Sequence, residues 1–204
     1  MSDWLHIVEG DAPLIIACPH VGRELADVED DFLSPWLARR DTDWWVDKLY
    51  AFAAGMGATL VTTRMSRSVI DVNRDPSGAS LYPGQATTEL CPTTTFDGDP
   101  LYRDTPPDEA EIKRRRGLWF NPYHAALQAQ FDRLRMRHDR VILYDAHSIR
   151  SHVPRLFDGE LAQFNIGTNG GQSCALALAT AIEAICADSG MSHVLDGRFR
   201  GGWT

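Results

Sequence analysis

Hydrophobic and polar positions fall into blocks along this chain, and the blocks predict its elements. "PLIIAC" (13–18) is a continuous apolar run closed by Pro19, which reads as a buried strand that delivers His20 just past its end. From Asp43 the spacing Trp45, Leu49, Phe52, Ala53 predicts one apolar helical face, with Asp41 or Thr42 as N-cap and Gly55 and Gly57 as stop signals. "ATLVTT" (58–63) and "SVIDVN" (68–73) read as further strands. Residues 75–107 are rich in Pro, Gly and Thr and show no period, which predicts a long irregular loop of the kind that often carries function.

Residues 108–138 read as mainly helical, with Tyr123, Leu127, Phe131 and Leu134 on one stripe and a kink or break at Gly117 and Pro122. The run "KRRR" (113–116) reads as the solvated face of that helix. "RVILYD" (140–145) is a strand, residues 173–188 form an Ala/Leu/Ile-rich helix entered from the turn "NGG", and a short strand follows in "SHVLD". Strands alternating with helices predict an α/β sandwich, its largely parallel sheet covered on both faces.

Composition narrows the setting. With 204 residues and 44% hydrophobic composition the chain can bury a real core, and one domain over 1–204 is expected. A formal net charge of −8 argues against nucleic acid or an anionic membrane as partner, while a local basic pocket for a small acid stays open. No segment has the length of a membrane span, and "MSDWLHIVEGDAP" lacks the pattern of a signal peptide, so a cytoplasmic location is expected. Cys18, Cys91, Cys174 and Cys186 are widely spaced, which suggests buried free thiols rather than disulfides or a cysteine metal site.

In a parallel sheet the ligand site lies beyond the carboxyl ends of the strands. That rule gathers His20, Asn73 with Arg74, and Asp145 with His147. Alternation puts Asp145 and His147 on one side of an extended chain, and imidazoles with carboxylates are donors that Zn²⁺ accepts. Asp145 is either a ligand or the partner that orients the His147 ring. His6, His124, His138 and His193 read as surface or core residues, and His152 as a loop residue.

Arginines give a second signal: Arg64, Arg67 and Arg74 bracket "SVIDVN", and Arg150 and Arg155 follow the Asp145–His147 strand. Guanidinium forks suit carboxylates, and Arg74 is the preferred anchor. "HSIRS" offers Ser148 and Ser151 without a GxSxG elbow, and neither GxGxxG nor GxxxxGK[ST] is present. A metal-activated water is the remaining nucleophile.

The motifs "CPHVG", "DTDWWVDKLY", "SRSVIDVNR", "LYPGQ", "LCPTTTFDGDPLY", "YDAHSIRSHVPRLFDG", "NIGT" and "DGRFRGGW", in this order, resemble those of the N-formylglutamate amidohydrolases. This family is related to the zinc carboxypeptidases and the aspartoacylase-like deacylases. The resemblance implies their three-layer α/β sandwich with a mixed, largely parallel sheet, one zinc ion, and hydrolysis of N-formyl-L-glutamate to L-glutamate and formate in histidine degradation. It carries the first and last metal-binding histidines onto His20 and His147, and the substrate-gripping pair onto Asn73 and Arg74, with Arg67 or Arg150 assisting.

Where the relatives' second ligand, a Glu, would fall, this chain has Arg23. Asp43 is the chosen replacement, ahead of Glu24, Asp47 and Asp145. The resemblance also implies a Glu general base in a stretch that family members carry beyond the segment resembling "GRFRGGW"; no Glu between residues 1 and 204 matches it. Two alternatives accompany this reading. One is a truncated, weakly active or inactive member that binds metal or a small acid; the other is an amidohydrolase for another N-acyl amino acid.

Overall fold

The strands predicted in "PLIIAC", "ATLVTT" and "RVILYD" form close to where the apolar runs place them. In the computed structural model, which describes residues 4–77 and 88–201, a four-stranded sheet is built from β1 (Leu5–Val8), β2 (Leu14–Cys18), β3 (Thr59–Thr63) and β4 (Ile142–Asp145). The order is β1-β3-β2-β4; β1 runs antiparallel to β3, while β3 and β4 both run parallel to β2. The sheet is thus mixed and mostly parallel. The chain passes from β2 to β3 on one side and then crosses to β4 on the other, so the strand order reverses at the end of β2.

Contacts group the described residues into two compact units, 4–77 with 88–149, and 150–201. In the first, Ile16 and Cys18 of β2 pack with Val46, Ala53 and Ala58, joined by Leu60 and Tyr50. Apolar burial of this kind is worth about 25 cal/mol per Å². The second unit contains β5 (Phe164–Ile166) parallel to β6 (His193–Leu195), linked through α5 (Leu176–Asp188). Its entry turn "NGG" holds Asn169, Gly170 and Gly171 at positive φ, a run that two glycines make possible. No helix among the described residues is long and apolar enough to cross a membrane.

Three expectations are corrected. The helix predicted from Asp43 is reduced to α1 (Pro35–Ala38) before it, a single turn α2 (Val46–Leu49), and a 3₁₀ segment, Ala51–Met56. Asp41 and Thr42 are engaged elsewhere: Asp41 Oδ2 accepts from Phe96 N at 2.7 Å and Thr42 Oγ1 donates to Gly22 O at 3.4 Å. Trp45, at φ +70°, delays the helix, so Trp45, Leu49 and Phe52 face solvent; of the predicted face only Ala53 is buried, joined by Val46. Gly57 does end the segment in a left-handed conformation.

"SVIDVN" is not a strand. Ser66 Oγ accepts from Ser68 N, Ser66 O from Val69 N, and Asp71 Oδ1 from Asn73 N, so side chains offer this backbone local bonds in place of a ladder. Asp71 N instead donates to Leu90 O at 2.7 Å, which ties down the start of the irregular region that follows. Of that region residues 78–87, with the "LYPGQ" motif, lie outside the described residues, as does Trp203 of "DGRFRGGW".

Residues 108–138 divide into α3 (Glu109–Arg115), a π-helical turn Arg116–Phe120, and α4 (Asn121–Arg135); in place of a break, the turn contains Gly117 and ends just before Pro122, and the helical backbone continues through it. Tyr123, Leu127 and Leu134 are buried, and α4 reaches the sheet where Arg133 Nη2 donates to Thr59 Oγ1. The run "KRRR" is not uniformly solvated: Arg115 is 1% exposed, donating to Glu111 Oε1 (2.8 Å), Tyr102 Oη (2.9 Å) and Val69 O (3.1 Å).

Hydrogen bonds from Arg114, opposed by partial burial and reinforced by Arg115, hold Glu111 down at about 2. A carboxylate whose pKa is depressed on folding stabilises above its unfolded value and loses that contribution as pH falls through the folded one. Glu111→Gln should therefore lower the urea midpoint at pH 7, and lower it progressively less from pH 4.5 toward 2. An equal loss at pH 7 and at pH 2.5 would show that charge is not its source.

Candidate metal centre

Three parallel strands carry their carboxyl ends to one side, and the residues just beyond those ends build the site. His20 lies two residues past β2 and His147 two past β4. Ala146 N donates to Ala17 O at 2.8 Å, extending the ladder one step so that His147 leaves the sheet from fixed backbone. His20 is fixed as well: its carbonyl accepts from Asp43 N at 2.9 Å, and a Cβ at Gly22 would sit 2.1 Å from Met65 O. Only glycine lets that loop run so close to the end of β3.

Each histidine turns Nε2 to a carboxylate. His20 Nε2 is 2.6 Å from Asp71 Oδ1, and His147 Nε2 is 2.9 Å from both Asp145 Oδ2 and Asn73 Nδ2. A ring nitrogen that donates to a carboxylate leaves the other for a ligand. Both Nδ1 atoms then face one point: they lie 3.2 Å apart, with Asp43 Oδ2 at 3.3 Å from His147 Nδ1 and 3.8 Å from His20 Nδ1.

Zinc bonds of about 2.1 Å in a tetrahedron place neighbouring ligand atoms about 3.4 Å apart. These three donors match that spacing and the imidazole and carboxylate preference of zinc, so His20, Asp43 and His147 fit the ion.

Electrostatics separates the two rings. Burial, then the Arg67 guanidinium, lowers the His20 pKa against the pull of Asp71, so His20 is neutral and its lone pair is available. Arg67 Nη1 lies 3.1 Å from that nitrogen, a contact that a metal would replace. For His147, 34% exposed at its side chain, burial is outweighed by Asp145 and Asp43 and the pKa is pushed up to about 10. A metal bound at this position would therefore have to displace a proton from His147. Asp71, opposed by its own burial, is held well below the usual carboxylate range by His20, Arg67 and Arg74. Burial, then Asp145, pushes the Cys18 thiol up to about 12, which disqualifies it as a nucleophile.

The structure brings His20, Asp43, His147, Asp145, Asn73, Arg67 and Arg74 into one neighbourhood. Arg67 is buried, donating to Asp71 Oδ2 at 2.7 Å, with its guanidinium 4.8 Å from the Phe96 ring. Arg74 donates to Thr88 Oγ1 at 3.1 and 3.2 Å and remains partly exposed. Glu24 pairs with Arg64 at 2.6 Å, and Asp47 is exposed on α2; neither joins the cluster. Arg150 begins the second unit. Ser148 contributes its backbone N–H, which donates to Asp43 Oδ2 at 3.0 Å.

Asp71 was hidden by the strand-like pattern around it. The available signal was Arg67 and Asp71 four residues apart, which suits a turn that folds back on itself.

Fold and cluster together define an α/β protein whose parallel strands converge on a candidate metal centre. Within that class the chain belongs to the N-formylglutamate amidohydrolase family, whose model matches residues 12–204. It is 45% identical over 205 residues to an N-formylglutamate deformylase of Pseudomonas putida, across 99% of this chain and 76% of that one. Identity is also 45% over 206 residues to the N-formylglutamate deformylase of Pseudomonas aeruginosa, across 99% and 77%.

Among solved structures, an N-formylglutamate amidohydrolase from Ralstonia eutropha superposes with a TM-score of 0.77 at 25% identity, covering 97% of this chain and 78% of that one. A gene product of Agrobacterium tumefaciens shares the fold, with a TM-score of 0.63 at 21% identity over 93% of this chain and 71% of that one.

Proposed function

We propose that this chain hydrolyses N-formyl-L-glutamate to L-glutamate and formate, with one zinc ion held by His20 Nδ1, Asp43 Oδ2 and His147 Nδ1. The observation that carries this reading is the convergence of those three atoms at the carboxyl ends of parallel strands, in a chain 45% identical to two deformylases. Zinc, when bound, supplies Lewis acidity that polarises the formyl oxygen and makes water nucleophilic near neutral pH.

The chain's own residues supply position. Asp71 and Asp145 fix the ring orientations of His20 and His147. Arg74, partly exposed beside the cluster, grips a carboxylate of the substrate, with Asn73 next to it and the field of buried Arg67 behind it. Binding energy remote from the amide bond thereby orients the formyl carbon. The mixed sheet is read as that of a zinc-carboxypeptidase-like three-layer sandwich, and a cytoplasmic setting suits four free cysteines.

Formate release from N-formyl-L-glutamate, measured with and without added Zn²⁺ alongside elemental analysis, tests the proposal. One zinc per chain with metal-dependent turnover is expected. Bound zinc without turnover would favour a member that only binds, and absence of metal would sink both readings. Arg74→Ala should raise KM about 10- to 100-fold, the value of a charge-assisted pair, at unchanged zinc content. An unchanged KM would move the anchor to another arginine.

A further inference from the structure

We propose that Asp71 is a positioning residue that couples the metal centre to the carboxylate-gripping arginine, so that one buried carboxylate sets both zinc affinity and substrate affinity. This rests on the function proposed above and adds a residue whose role neither the motifs nor the ligand cluster assigns.

Asp71 is fully buried, and both of its oxygens are engaged. Oδ1 accepts from His20 Nε2 at 2.6 Å and from Asn73 N at 3.0 Å. Oδ2 accepts from Arg67 Nη2 at 2.7 Å and faces Arg74 Nε at 3.6 Å. The first contact holds the His20 proton on Nε2, which is what leaves the Nδ1 lone pair toward Asp43 and His147. The second fixes the backbone of Asn73, whose side-chain amide lies 2.9 Å from His147 Nε2. The Oδ2 contacts hold the two guanidinium groups in register with the histidines.

Asp145 differs from it. It touches His147 alone among these groups and is 23% exposed at its side chain. The two carboxylates look alike beside their rings, yet only Asp71 also reaches the arginines.

The isosteric change Asp71→Asn separates these roles. An amide has one accepting oxygen where the carboxylate has two, so it cannot serve His20 and Arg67 together. If its NH₂ faces His20, the ring must move its proton to Nδ1 and the lone pair offered to metal is lost. With the NH₂ facing Arg67, donor meets donor and the guanidinium pair loosens; in either orientation the negative charge that His20, Arg67 and Arg74 share is lost, so both sides weaken together.

Expected for Asp71→Asn is a loss of zinc affinity of about 10- to 100-fold, read by competition with a chromophoric chelator, together with a KM for N-formyl-L-glutamate raised about tenfold. Asp145→Asn should weaken zinc and leave KM within about twofold. A change in only one of the two quantities for Asp71→Asn, or in neither, would overturn the coupling.

Should the single variant not fold, Asp71→Leu/Arg67→Met removes donor and acceptor together and must still weaken zinc. A measurement on the unmodified chain also decides: ¹⁵N–¹H correlation of the metal-free protein should show His20 as the Nε2–H tautomer, and Nδ1–H there would overturn the proposal. If the unmodified chain releases no formate, the function proposed above fails. Asp71 is then judged by zinc affinity, the tautomer and L-glutamate binding.

Discussion

His147→Ala is expected to strip the metal centre while leaving the fold in place. Structural zinc binds with roughly 10–16 kcal/mol over four ligands, so one ligand is worth about 3 kcal/mol and its loss at least a hundredfold in affinity. The remaining donors, His20 Nδ1 and Asp43 Oδ2, lie 3.8 Å apart and form the longest side of the triangle, which makes a two-ligand site poor. His147 is about a third exposed, and its backbone is held by the Ala146 to Ala17 ladder bond, so the thermal midpoint should change little. The measurement is zinc content after dialysis, with circular dichroism as the control for folding. Stoichiometric zinc retained in the variant would remove His147 from the centre.

The largest loss of stability is expected at a position with no part in the chemistry. Arg115→Ala takes away a guanidinium that is 1% exposed and leaves Val69 O and Tyr102 Oη without their donor. Breaking a buried, hydrogen-bonded charge costs about 3–5 kcal/mol. Glu111 is better hydrated than its partner and softens that figure toward the lower end. Arg115→Met fills the volume without a charge and should recover part of the loss. Urea denaturation of the three proteins reads this order directly, and an alanine variant within about 0.5 kcal/mol of the parent would show that the pocket closes around the gap.

Arg115 also illustrates where the sequence misleads. A run of four basic residues reads as a solvated face, but Arg115 stands four residues before Trp119 and eight before Tyr123, both buried, and so belongs to the apolar stripe. "SVIDVN" misleads in the opposite direction. Its β-branched residues fit a strand, while Ser66 and Asp71 supply local hydrogen bonds that composition does not reveal.

His20 and the pair Asp145 and His147 were legible because strand ends and two-residue alternation are properties of the backbone itself. Asp43 was not accessible in that way: it was chosen through a family likeness. Its place beside the histidines depends on a hydrogen bond from its own N–H to His20 O, a contact across 23 positions that no periodic pattern encodes.

Presentation of Nδ1 by both histidines has a consequence for redesign of the centre. Nδ1 is bonded to Cγ, one atom closer to the chain than Nε2, so the donors project only a short distance from the strand ends. The side-chain oxygen of asparagine is likewise bonded to Cγ, whereas that of glutamine extends one carbon farther. His20→Asn and His147→Asn should therefore keep an oxygen near the ligand position and shift preference toward harder ions such as Mn²⁺, while the glutamine variants place their oxygen past it.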